Sequence, residues 1–418
     1  MMMSATLAAD AEFERRRLAG EQILFLATGE IGLPVLPELR EHLVAASGRN
    51  AYGPVAGSAD VRLAAAGYWS RRGLPTDPAD VVCGPGSKPL LFALMLAVGG
   101  DVVVPVPTWV SYAAQASLGG LRSIPVRTRP GEGGVPDPAE LRSAVRQARA
   151  AGGDPRSVVV TLPDNPTGTI AKPETVRELA EVARELDLVI ISDEIYCDLA
   201  FVPADQAVSP AHYAPERTIV TTGLTKSLAV GGWRLGVARL PTEALRTRLI
   251  GIASQIWSST AAPVQAAAAY ALAEPPEVVR YVAAARRLHE RVVRRVADVF
   301  STAGAELAPV QATCYLYPDF EPLRERLDVA GSNELTDLLS NRYGVALLPG
   351  TAFGEDPRAL RIRAATSRLY GETDAERTAA LAAPDPLTLP WISAAVDRLT
   401  EVLTELTKES NVHRHLRS

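Results

Sequence analysis

The residue whose setting calls for chemistry is Lys226. It stands in Thr221-Thr222-Gly223-Leu224-Thr225-Lys226-Ser227, behind the apolar run 218–220 and ahead of Gly231-Gly232-Trp233-Arg234-Leu235-Gly236. Most lysines are solvated surface charges; one set among small, hydroxyl-bearing residues before a glycine turn is badly placed to be one. A desolvated lysine amine attacks carbonyl carbons, and a nearby guanidinium grips a planar anion. Lys226 is therefore predicted to be a Schiff-base lysine and Arg234 an anion clamp.

Such a site needs further parts, and the chain places candidates at the ends of its apolar runs. Asp193 and Tyr196, in Ser192-Asp193-Glu194-Ile195-Tyr196, follow the run 188–191, and an aspartate there needs a partner. Asn165 sits in the rigid loop Pro163-Asp164-Asn165-Pro166-Thr167-Gly168 after the run 158–162. Gly84-Pro85-Gly86-Ser87-Lys88-Pro89 joins a short strand at 81–83 to an apolar helix at 90–98. A strand, a glycine turn and a helix start present free backbone N–H groups and a positive helix end to an anion. The turn is neither a P-loop nor Gly-x-Gly-x-x-Gly. Trp109 comes just past the run 101–105, where ligands bind in open α/β sheets, although a tryptophan alone is more often core. Tyr52 is an isolated aromatic in the loop 50–57, and Leu360-Arg361-Ile362-Arg363 reads as a strand with two same-face arginines.

A Schiff-base lysine, an aspartate, an aromatic plate, an anion-binding helix start and a clamp arginine are what pyridoxal 5'-phosphate needs from a protein. In that reading Lys226 holds the cofactor's aldehyde carbon and Asp193 keeps the pyridine nitrogen protonated. Trp109 stacks on the ring, and Asn165 and Tyr196 donate to its phenolate oxygen. The phosphate takes the Gly86-Ser87 turn and Arg234.

The elements that must position these residues alternate. From Val61 to Arg239 helical and apolar strand segments follow one another, which predicts an α/β fold with a mainly parallel sheet between helices. Asn165, Asp193, Tyr196 and Lys226 then share one sheet edge. Helices are expected at 8–19, 263–272 and 277–300, and a short strand at 23–26. A smaller α+β part follows, with strands at 313–317 and 345–348 and a helix at 333–343. Residues 371–390, rich in Ala, Pro and Asp, read as an inserted loop before a last helix at 391–407. The polar tail after Lys408 is expected to fray. A large cofactor-binding domain at 45–295 and a small domain formed by 1–44 with 296–418 are expected, because 418 residues exceed one ordinary core.

Composition narrows the class. A net charge of -5 leaves no nucleic-acid footprint. Cys83, Cys197 and Cys314 are far apart and match no metal or disulfide spacing, which points to a reducing, cytoplasmic setting. Met1-Met2-Met3-Ser4 lacks a basic region followed by an apolar core, so no signal peptide is expected. No apolar stretch reaches the roughly 18 residues of a membrane span.

The same motifs resemble those of the class I/II aminotransferases, fold-type-I pyridoxal-phosphate enzymes of the aspartate aminotransferase superfamily. The bacterial branch related to aspartate and prephenate aminotransferases is the most similar, from Ser4 to the final helix. The resemblance implies the roles above for Lys226, Arg234, Asp193, Tyr196, Asn165 and Trp109. It further implies that Gly86, Ser87 and Lys88 form the phosphate turn, and that Tyr52 reaches the phosphate of a neighbouring subunit in a homodimer with shared sites. Gly29 is implied to offer a backbone contact to substrate, beside Asn165. Arg361 is implied to grip the substrate α-carboxylate; Arg363 is its rival, and the register favours Arg361. The implied reaction moves an amino group between an L-amino acid and a 2-oxo acid.

The chain also departs from the family pattern. Gly223 stands where a serine is common, so Thr225 or Thr222 must cover that phosphate oxygen. The N-terminal arm is short, Ile31-Gly32 follow Gly29-Glu30 in place of Pro-Asp, and Trp257 replaces a smaller residue. The 371–390 insertion has no counterpart. Lys88 serves either the cofactor phosphate or a distal carboxylate of the substrate. A lyase, a cyclising synthase or an oxidase would use the same site, because all begin from the same carbanion. A transcription regulator with such a domain needs a DNA-binding segment in front of it, and a Rossmann-type nicotinamide enzyme needs the missing glycine fingerprint.

Overall fold

Runs such as Val158-Val159-Val160 and Val189-Ile190-Ile191 are apolar on both faces, so each needs cover above and below. The computed structural model describes residues 3–415, with side chains through Lys408. It has strands β1 (Leu24–Phe25), β2 (Val81–Gly84), β3 (Asp101–Val106), β4 (Ser123–Arg129), β5 (Glu132–Pro136), β6 (Pro155–Thr161) and β7 (Val189–Asp193). They are followed by β8 (Thr218–Gly223), β9 (Gly236–Arg239), β10 (Tyr315–Leu316), β11 (Val345–Ala346), β12 (Leu348–Pro349) and β13 (Ile362–Ala365). Eight form one sheet in the order β2-β9-β8-β7-β6-β3-β4-β5. Its centre, β8 to β4, is parallel; β9 and β5 run antiparallel to their neighbours. The α/β architecture expected from the alternating pattern is the one observed.

Helices bury apolar stripes on this sheet. Pro173–Glu185 turns Val176, Leu179, Ala180 and Ala183 inward, at the three- and four-residue spacing of one helix face. The register sets the functional edge: Thr161, Asp193 and Thr221 lie side by side at the C-terminal ends of β6, β7 and β8. Two small sheets complete the chain. β13 lies between β10 and β12, antiparallel to both, and β1 pairs in parallel with β11, tying the N-terminal segment to the C-terminal part.

Several boundaries differ from expectation. The first helix is Ala5–Leu18, and the strands expected at 23–26 and 313–317 contract to Leu24–Phe25 and Tyr315–Leu316. The segment 371–390 is not a loop. Thr373 accepts the N–H of Glu376 and the Glu376 carboxylate accepts the N–H of Thr373, a capping box that starts the helix Asp374–Ala382. Its alanines are strong helix formers, which a composition-based loop assignment overlooks. The last helix runs Pro390–His415; the expectation of fraying falls on side chains after Lys408 and on residues 416–418, outside the described part.

Glu194, next to the functional edge, supplies a test of this core. It is buried, accepts hydrogen bonds from Ser192 Oγ (2.8 Å) and Ser209 Oγ (2.6 Å), and burial raises its pKa to about 7. The folded chain keeps a proton that the unfolded chain releases in the ordinary carboxylate range. Its contribution is therefore fully present below that range and is lost as pH rises to the folded value, on the order of 3 kcal/mol. Burial raises Asp164, also to about 7, so it acts in the same direction. Glu194→Gln should flatten the fall in Tm between about pH 5 and about pH 7; an unchanged slope would contradict this assignment.

Candidate active site

Asp193 ends β7 and is buried between its two register neighbours. Tyr112 Oη donates to its Oδ2 at 2.9 Å and Thr221 Oγ1 to its Oδ1 at 3.3 Å, while Tyr112 also bonds Thr161 Oγ1 at 2.8 Å. Burial raises the carboxyl to about 6, against which Tyr112 and Thr221 stabilise the anion. Two hydroxyl donors fix the Asp193 carboxyl in a dry place and leave it capacity for a further cationic donor. Trp109 packs edge-to-face on Tyr112, ring centroids 5.2 Å apart, at the mouth above β3.

Lys226 follows β8. Its Nζ donates to the carbonyl of Gly29 at 2.8 Å and lies 5.8 Å from the Tyr196 ring centroid. Burial lowers its pKa; the Arg363 charge pushes the same way, while Cys314, Glu30 and Asp193 oppose. The amine is therefore nearer neutrality than a surface lysine, as a nucleophile or base requires. Gly29 is fixed by close approach: a Cβ there would stand 1.9 Å from Tyr315 Oη. Tyr315 Oη bonds Tyr196 Oη at 2.9 Å and donates to the Gly29 carbonyl at 3.4 Å, and Asn165 Nδ2 donates to Tyr196 Oη at 3.3 Å.

The Gly84–Pro89 turn leads straight from β2 into a helix. Gly86 has φ +94° at the start of the helix Ser87–Val98, and a Cβ there would lie 2.3 Å from Arg234 Nη2. The guanidinium can rest on the turn only because residue 86 lacks a side chain. Lys88 Nζ lies 5.2 Å from the Trp109 ring, and burial and the Arg234 charge both lower its pKa. A guanidinium and the free N–H groups of a helix start fit an anion. Gly223 is also explained, because a Cβ there would meet the Leu235 carbonyl oxygen at 2.9 Å. Thr222 Oγ1 donates to the Glu194 carbonyl, whereas Thr225 lies on the cavity wall.

A cavity of about 520 Å³ brings together Gly29, Ser87, Lys88, Trp109, Asn165, Asp193, Tyr196, Thr225, Lys226 and Arg234. Gly86 supports its turn from behind. Tyr52 is 93% exposed and does not line this cavity, and Trp257 packs on the core beneath the sheet.

The choice between the two arginines is corrected. Arg361 precedes β13, where it bridges to Asp319, and its guanidinium is held by Asp319 (2.9 Å) and Glu355 (3.0 Å), off the cavity. Arg363 is 1% exposed, donates Nη1 to Asn165 Oδ1 at 3.2 Å and Nη2 to the Ala27 carbonyl, and keeps Nε without a partner. Arg363 lines the cavity with Lys226, whereas Arg361 lines a different one with Asp319 and Glu355. Tyr112, Thr161, Tyr315 and the helix face Thr6, Leu7 and Asp10 also line the cavity and were not singled out from sequence. The position of Tyr112 one helical turn past Trp109 is a usable signal; Tyr315 offers none.

The family model for "Aminotransferase class I and II" matches residues 21–370. A probable aspartate/prephenate aminotransferase of Thermus aquaticus is 32% identical over 84% of this chain and 90% of its own length. The aspartate aminotransferase of Geobacillus stearothermophilus is 30% identical over 90% of this chain and 95% of its own. Among solved structures, Thermus thermophilus aspartate aminotransferase with maleate superposes with a TM-score of 0.82, at 28% identity over 96% of this chain and 97% of that one. The family is generally dependent on pyridoxal phosphate. This chain belongs to the class I and II aminotransferases, in the fold-type-I architecture, and is an enzyme that moves an amino group between an amino acid and a 2-oxo acid.

Proposed function

We propose that this cavity binds pyridoxal 5'-phosphate through Lys226 and transfers the amino group of L-amino acids, one of them acidic. The observation that carries the reading is the placement of the Lys226 amine, its pKa lowered by burial, in one cavity with the Asp193 anion and the unsaturated Arg363 guanidinium. Ser87, Thr225, Arg234 and the N–H groups behind Gly86 would hold the phosphate, and Asp193 a proton on the pyridine nitrogen. Asn165 and Tyr196 would face the phenolate oxygen, and Trp109 the ring.

When bound, the cofactor supplies an electron sink for the pair left as a bond to the substrate Cα breaks. The chain's own groups do the rest. Arg363, with its free Nε and its bond to Asn165, takes the α-carboxylate in a fork, which fixes the orientation of Cα. Lys226, its pKa lowered by burial, removes the proton from Cα as general base. The buried walls of the cavity, from Tyr315 to Ile195, keep water from competing for it.

Relatives named for aspartate and prephenate make an acidic substrate the first candidate. Lys88, a part-buried ammonium beside Trp109, is placed to meet its distal carboxylate. Initial rates with acidic and neutral amino acids test this. Lys88→Ala should lower kcat/KM for acidic substrates by about 30-fold and for neutral ones by less than about threefold. Equal losses would assign Lys88 to the cofactor phosphate instead.

The working unit is proposed to be a cytoplasmic homodimer in which Tyr52 reaches the partner's phosphate. Support comes from the exposure of Tyr52 and of large apolar side chains such as Leu63 and Ile256. Among the described residues the three cysteines are free, and no helix is long and apolar enough to cross a membrane. The division into a large domain at 45–295 and a small one at 1–44 with 296–418 is proposed on the separate sheets.

A further inference from the structure

The helix Ala5–Leu18 lines two cavities. It gives Thr6, Leu7 and Asp10 to the catalytic one, and Asp10, Phe13 and Arg17 to a second of about 630 Å³. The opposite wall of the second cavity is the 371–390 segment, whose helix the catalytic site does not use. Its floor is aromatic: Phe13 and Phe25 stack at 4.0 Å, and the Trp391 indole is fixed by a bond from Nε1 to the Tyr370 carbonyl at 3.0 Å.

The polar groups over this floor offer donors. Arg368 gives Nη2 to Glu30 at 2.7 Å but keeps Nε buried without a partner, and Arg377 gives Nε to the Gly371 carbonyl at 3.0 Å and lies 3.7 Å from the exposed Asp374 carboxylate through Nη1. The carboxylates on the wall are mostly engaged. Glu14 pairs with Arg17 at 2.6 Å, Glu376 accepts the N–H groups of Glu372 and Thr373 at 2.9 Å, and Glu372 is an exposed residue of the lining. Asp10 accepts from Thr28 Oγ1 at 3.2 Å and leaves one oxygen free on the wall shared with the catalytic cavity. Open guanidinium donors above an aromatic floor recognise a small carboxylate with a ring or branched apolar body.

We propose that this second cavity is an effector site for such a carboxylic acid, and that its occupant acts on the substrate loop. Of the two arginines, Arg368 is bonded to that loop and Arg377 only packs beside it. Arg368 is bonded to Glu30, and a Cβ on Gly32 would stand 3.5 Å from the Arg377 guanidinium carbon. Glu30 and Ile31 line the catalytic cavity, and the Gly29 carbonyl accepts from Lys226. A carboxylate on Arg368 competes with Glu30, so binding at one cavity carries a free-energy difference to the other.

The test uses 3-phenylpropionate, which has no amino or oxo group to transfer, with the full cofactor-loaded enzyme. Calorimetry reads binding, and initial rates at saturating substrates read kcat. The ligand should bind and change kcat by about twofold or more. Arg377→Gln removes a donor and Ala395→Leu fills the cavity without touching a charge. Each should weaken binding by about tenfold or more while leaving the rate without ligand within about twofold. Inhibition that is purely competitive with the amino substrate and unchanged in both variants would place the ligand in the catalytic cavity and overturn the proposal. Absence of binding at about 10 mM, or binding lost in both variants with kcat never affected, would overturn it as well.

Discussion

Lys226→Ala should abolish turnover, by a factor of about 10⁴ or more, because the change removes both the proposed covalent anchor and the proposed general base. No other amine shares its place: Lys88, the remaining lysine of the cavity, stands at the Trp109 side, by the phosphate turn. The variant should fold, since the lost group makes one hydrogen bond, to the Gly29 carbonyl. Its visible cofactor absorbance should disappear, and borohydride treatment, which should leave a pyridoxyl group on the Lys226 peptide of the parent enzyme, should label nothing. Normal activity in this variant would remove the basis of the proposed mechanism.

The second large effect separates the two arginines of one strand. Arg363→Lys keeps the charge but loses the fork, and should lower kcat/KM by about 10²–10³, chiefly through KM. Arg361→Ala should change kcat/KM by less than about threefold, because its guanidinium is engaged by Asp319 and Glu355 off the cavity. It should instead lower stability, by about 3 kcal/mol, because the Glu355 side chain is 2% exposed and would be left as a buried charge without its nearest partner. Thermal melts and steady-state rates on the two variants read both effects. A large rise in KM for Arg361→Ala with none for Arg363→Lys would reverse the assignment.

These two cases show what could be read before any coordinates and what could not. Lys226, Asp193 and Asn165 were legible because each follows a continuous apolar run, and parallel strands deliver their C-terminal ends to one edge. Arg363 was not, since alternation puts both arginines on one face and only the pairing of Leu348 with Arg363 decides which is carried inward. Tyr315 enters the site through tertiary contact with Gly29 and Tyr196, a closeness that no local pattern encodes. The helix Asp374–Ala382 was legible in principle from Thr373 and Glu376, and was obscured by the weight placed on Pro and Asp nearby. Tyr52, 93% exposed in one chain, would act on cofactor through a second chain that brings its site to it.

The reaction itself is tested most directly by a single half-turnover. Cofactor-loaded enzyme is mixed with one amino acid at a time, with no oxo acid present, and the visible spectrum and product mass are followed together. One 2-oxo acid per active site, with the nitrogen retained on the cofactor as pyridoxamine 5'-phosphate and no ammonia released, is the predicted result. Ammonia release, oxygen uptake or a cyclised product in place of that stoichiometry would contradict it.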